Sequence, residues 1–172
     1  MKRPTTMTEN KLLLLLALKT LGATEEEQLW RFIVECDLMD YFEFSLCRAD
    51  LDEAGMLRTL IDEQGQRLGL SNTGLETLSL FGSRIPPSLR ERIEEKGAAA
   101  RAQFRQESSV LSDFQEDDAG FTVRLRIKED ALTLMDLKVN VPTRAQAQAF
   151  CEHFTARSSE LYAMLMSTLG EE

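Results

Sequence analysis

The chain has 172 residues, 43% of them hydrophobic, with 29 Asp/Glu against 20 Lys/Arg and a formal charge of −9; that is the composition of a globular protein long enough to bury one sizeable core or two small ones. The acid excess is spread evenly: residues 1–84 hold 9 basic and 14 acidic residues (net −5) and residues 85–172 hold 11 and 15 (net −4), so no basic domain is present to draw in a polyanion. Three cysteines without C-x-x-C spacing, Cys36, Cys47 and Cys151, exclude a disulfide framework and point to a reducing, cytoplasmic setting.

Taken in chain order, the first predicted helix starts at Thr8 as N-cap, carries the run Leu12–Leu16 and stops at Gly22. Glu9 before the run, Lys19 after it and the lack of an A-x-A site argue against a signal peptide. The run is also far shorter than the roughly 20 apolar residues that span a bilayer. It is read as a helix buried on most faces. The second helix opens at Thr24, with Glu27 closing a capping box, and buries Leu29, Ile33 and Cys36 with Trp30 and Val34 beside them. After a break at Asp37–Asp40 the third helix runs from about Glu43 to Ala54, with Phe44, Cys47, Leu51 and Ala54 inward and Gly55 supplying the left-handed end.

A hairpin turning at Gln64-Gly65 comes next, and in that register Asp62 meets Arg67, Ile61 meets Leu68 and Thr59 meets Leu70. Ser71 then caps a fourth helix, "NTGLETLSLF". Three helices, a hairpin and a helix make the order of a winged helix-turn-helix. Ile85-Pro86-Pro87 marks the boundary between a domain over 1–84 and a second over 85–172. The second opens with a linker helix from Ser88 to about Gln106, with Leu89, Ile93, Ala100 and Phe104 on one side.

Three strands follow: Val110–Gln115, then Phe121–Lys128, then one beginning near Leu132. Between the first two, "QEDD" (115–118) reads as a turn. In the third, Leu132 and Leu134 are out of phase with Leu137, Val139 and Val141, which requires a bulge near Met135–Asp136. Thr143 and Gln146 form another capping box. The last helix lines up Ala147, Phe150, Cys151, Phe154, Leu161, Leu165 and Leu169. The fold class expected is α+β: an N-terminal winged helix, a linker helix, and a small antiparallel sheet covered by a C-terminal helix.

The segments "TENKLLLLLAL", "EAGML", "LSNTGLETLSLFGSRIPPSLRERI" and "FTVRLRIKED…LTLMDLKVNVPT…QAQAFCEHF" resemble a domain-of-unknown-function family of Gram-positive, clostridial-type bacteria with an N-terminal winged helix. The resemblance spans nearly the whole chain, with "SRIPPS" and "LKVNVPT" its most distinctive pieces. It implies a DNA-binding-like fold, by analogy of fold alone.

Catalytic chemistry has little to stand on. His153 is the sole histidine, and Cys151 and His153, two apart on a helix, point in different directions, so no metal site, catalytic residue or cofactor is expected. The glycines form no phosphate-binding pattern. Arg124, Arg126 and Lys128 share a strand face, read as a solvated surface balanced by Asp136. In a DNA-binding winged helix the third helix would reach the major groove, through Ser45, Arg48, Ala49 and Asp52, with Arg67 on the wing and Lys2, Arg3, Lys11 and Lys19 as further cations. Asp52, four residues from Arg48, would neutralise it. The function expected is a transcriptional-regulator-like protein binding double-stranded DNA as a homodimer, without membrane attachment. The alternative is a protein-interaction module that uses the winged helix as a scaffold.

Overall fold

The computed structural model describes residues 5–62, 65–129 and 132–170. The chain divides into two compact units, residues 1–104 and 105–172.

In the first unit, α1 (Met7–Leu21) is the central element, and every residue from Leu12 to Leu18 is buried. Its N-cap is Thr6, not Thr8: Thr6 and Glu9 stand three apart and bond reciprocally, Glu9 N–H to Thr6 Oγ1 at 3.2 Å and Thr6 N–H to Glu9 Oε2 at 2.8 Å. Helix α2 (Glu26–Glu35), by contrast, starts one residue later than expected, with Glu25 as N-cap. Thr24 is unavailable because its backbone bridges to Leu68, while its hydroxyl donates to Gln28 Oε1 at 2.8 Å. Leu29, Ile33 and Cys36 are buried as expected; Phe32 joins them, whereas Val34 is exposed.

Helix α3 (Tyr41–Glu53) begins after Asp40 as N-cap rather than near Glu43. The Asp40 carboxylate accepts Glu43 N–H at 2.9 Å, and the Glu43 carboxylate accepts Asp40 N–H at 3.0 Å. Phe44, Cys47 and Leu51 are inward, Ala54 is exposed, and Gly55 takes φ +66°.

Strands β1 (Leu57–Asp62) and β2 (Gly65–Leu70) form an antiparallel hairpin. Its register differs from expectation: Asp62 meets Gly65, Leu60 meets Arg67 and Thr59 meets Leu68. Residues 63 and 64 lie outside the described residues, and the expected Gln64-Gly65 turn falls there in part; the pairing that flanks them is Asp62 with Gly65. A slip of two keeps every side chain on its original face, which is why alternation did not discriminate. Ile61 shares a face with the buried Leu57 and Leu70 but sits at the hairpin's outer end and is 82% exposed.

Helix α4 (Asn72–Phe81) is capped by Ser71, and a 3₁₀ turn (Gly82–Arg84) leads to Ile85 and the long α5 (Pro87–Ser109). Ile85, Ile93, Ala100 and Phe104 complete the first unit's core. Arg92 and Lys96 donate to the carbonyls of Cys36 and Glu35, at 2.9 and 2.7 Å, satisfying the end of α2.

The second unit is an antiparallel sheet, β3 (Val110–Asp117), β4 (Gly120–Glu129) and β5 (Leu132–Val141) in that order, with α6 (Arg144–Leu169) over one face. Phe121, Val123, Leu125 and Ile127 of β4 face the core. Glu116 and Asp117 extend β3 rather than turning; Asp118 and Ala119 connect Asp117 to Gly120. The bulge exists, one residue earlier than expected: Ile127 meets Met135 and Lys128 meets Thr133, so Leu134 is the extra residue. Thr143 Oγ1 caps α6 by accepting Gln146 N–H at 3.3 Å. The expected single stripe on α6 does not hold: Ala147 and Phe154 are buried, but Phe150, on the same segment, is exposed, and beyond a break at Arg157 (φ −128°, ψ 19°) Leu169 is exposed as well. Among the described residues no helix is long and apolar enough to cross a membrane.

Candidate functional site

Because 3.6 residues complete a turn, burial of Phe44, Cys47 and Leu51 fixes which side of α3 faces outward. The centre of that outward side is Phe42, Leu46 and Ala49, at i, i+4 and i+7. Phe42 is 80% exposed and Leu46 55%, and Ala49 is exposed. Beside them Tyr41 is also exposed. The half-buried Trp30 of α2 supports this end, with ring centroids 5.3 Å from Tyr41 and 5.2 Å from Phe44.

Two charged residues of α3, Arg48 and Asp50, lie on its flanks and are turned to neighbouring helices. Arg48 Nε is 3.3 Å from Glu26 Oε2 of α2, so its partner is Glu26 and not Asp52. Asp50 is held by Lys11 of α1 at 2.7 Å. Such part-exposed pairs contribute about 1 kcal/mol or less, yet they set where the two cations point. Glu43 is committed to the cap, whereas Asp52 and Glu53 are exposed.

The residues expected to meet DNA are thus placed as follows. Ser45 and Arg48 are half-buried, Ala49 and Asp52 are exposed on α3, and Arg67 is half-buried on β2 opposite Leu60. Lys2 and Arg3 lie outside the described residues, Lys11 is paired, and Lys19 is exposed. Sequence reasoning missed Phe42 and Leu46. The signal was available as a second apolar spacing, 42–46–49, opposite the 44–47–51 stripe on the same helix.

On the second unit, the Arg124/Arg126/Lys128 stripe is tied down across strands. Arg124 grips Asp136 with Nε at 2.9 Å and Nη2 at 2.6 Å, and Arg126 meets Asp113 at 2.8 Å. Hydrogen bonding from Arg124 holds the Asp136 carboxyl below its ordinary value. A depressed carboxylate of this kind contributes above the ordinary aspartate range and is lost as pH falls through its lowered pKa.

Burial pushes the thiols of Cys36 and Cys47 up to about 11, leaving little thiolate at neutral pH, while Cys151 is only half-buried. A thiol-reactive probe at mildly alkaline pH is therefore expected to label Cys151 in the folded chain and to reach Cys36 and Cys47 only in denaturant. Rapid labelling of all three without denaturant would contradict the packing described. His153 is exposed on α6.

A family model described as a domain of unknown function, DUF4364, matches residues 10–169. No curated protein and no solved structure matches the chain.

Proposed function

The chain belongs to the DUF4364 family of domains of unknown function, and from that starting point we propose that it is an interaction protein: a winged helix-turn-helix scaffold whose third helix docks a protein partner. The observation that carries this reading is the outward face of α3, where Phe42, Leu46 and Ala49 are apolar and exposed. Helices that dock through one side read out anchors at this spacing, and exposed aromatic side chains are the residue type that dominates binding energy. The rim carries exposed Asp52 and Glu53. The partner surface that fits is accordingly apolar at its centre and basic at its edge.

Recognition of duplex DNA is the second reading, supported by the order of three helices, a hairpin and a helix. Its difficulty is electrostatic. Affinity for DNA grows with the number of phosphates neutralised, while Arg48 and Lys11 already pair with Glu26 and Asp50.

Calorimetric titration with a Leu/Lys amphipathic helical peptide, compared with its Leu/Glu counterpart, separates the two. Binding of the basic peptide alone is expected, weakened about 30-fold or more by Phe42→Asp, the loss associated with a hot-spot residue. Peptide binding indifferent to Phe42→Asp, or duplex binding abolished by Arg48→Glu, would overturn it.

A further inference from the structure

We propose that the second unit pairs with a second copy of this chain through the half of α6 that follows its break. The inference is independent of the reading given for α3. Up to Arg157, α6 is anchored by Ala147 and Phe154 in the core. Two serines follow the break, and from Ser159 to Leu169 no side chain is fully buried: Leu161, which packs on the core, Tyr162 and Leu165 are half-buried and the rest are exposed. Yet this stretch contains Leu161, Tyr162, Met164, Leu165, Met166 and Leu169. Met166 is 57% exposed and Leu169 80%. Three turns of helix draw little stability from their own hydrogen bonds, and a helix apolar on more than one side belongs in an interior.

Beside this helix half lies an open groove of about 440 Å³ whose walls include Leu137 and Val139 of β5, Phe150 before the break and Met164 after it. The helix end and the groove are adjacent on one surface, so a two-fold axis lays each copy's helix end on the other's groove, in a self-complementary interface. Charge favours a second copy as occupant. Residues 161–170 carry no charge, so the paired segments meet no repulsion. Arg157 and Glu160 both line the groove and, among the described residues, neither is engaged in an ion pair. Antiparallel pairing brings Arg157 to the partner's Glu160, and the reverse, without leaving a like charge opposed.

Sedimentation velocity on the full chain at micromolar concentration tests this. The expected result is a dimer, with Met166→Glu combined with Leu169→Glu raising the dissociation constant about a hundredfold or more at unchanged far-UV circular dichroism. Arg157→Glu should weaken the dimer, and adding Glu160→Arg to it should restore association, which a merely structural role would not produce. A monomeric parent chain, or a dimer unaffected by the Met166/Leu169 pair of substitutions, would overturn the proposal.

Discussion

Replacing Phe44 by Ala is expected to cost about 3–5 kcal/mol of unfolding free energy, whereas Phe42→Ala, two residues away, should stay within about 0.5 kcal/mol of the parent. The two phenylalanines stand on one helix, so local propensity treats them alike. Phe44 is buried among the residues of the first unit's core and packs on Trp30, so its loss removes buried area and leaves a cavity. Phe42 projects into solvent and leaves nothing behind. Urea unfolding of the two variants checks this, with equal slopes required for the comparison. Similar losses at both positions would mean that α3 is rotated from the placement described.

A second large effect is expected at Gly74, in the first turn of α4. A Cβ built there falls 2.3 Å from the Met56 carbonyl oxygen and 3.2 Å from its carbon. That carbonyl cannot easily retreat, because it accepts Ser71 N–H at 3.1 Å. The Ser71 hydroxyl in turn donates to Gly55 O at 2.7 Å and accepts Gly74 N–H at 3.1 Å. Gly74→Ala gains about 1 kcal/mol of helix propensity against overpacking of about 3 kcal/mol or more on fixed backbone. The net loss should lower the melting temperature by roughly 4–8 °C. A melting temperature unchanged or raised would show that the α4 start has room to move. Gly97 marks a similar close approach, since its Cβ would lie 2.1 Å from Thr20 Cγ2 of α1.

Most of the architecture was legible in the sequence because the apolar spacing is strong. Phe44, Cys47 and Leu51 marked the inner side of α3, Phe121 to Ile127 the inner face of β4, and the phase change after Leu134 required a bulge. What escaped were choices that spacing leaves degenerate. Thr6 and Thr8 both suit an N-cap, and only the three-residue reach to Glu9 selects Thr6. Two hairpin registers two residues apart bury the same faces. The break at Arg157 carries no proline or glycine, only a pair of serines after it, so the expected stripe on α6 ran straight through it.

The candidate site was less legible than the fold. Attention to cations placed Arg48 outward, but its side chain turns to Glu26, a pairing between helices that spacing within α3 does not reveal. Phe42 and Leu46 were legible as a second stripe, yet an apolar residue on a helix is ordinarily assigned to the core, and only the packing shows that these two are left outside.

Trp30 is the single tryptophan of the chain and lies against Tyr41 at the end of α3 that carries Phe42, so its fluorescence reports on whatever covers that face. Titration at low salt with a Trp-free Leu/Lys amphipathic peptide, and separately with duplex DNA, tests most directly whether α3 docks protein. A saturable change with the peptide, abolished by Phe42→Asp and absent with DNA, is predicted. A saturable change with DNA that disappears as salt is raised, and none with the peptide, would contradict it.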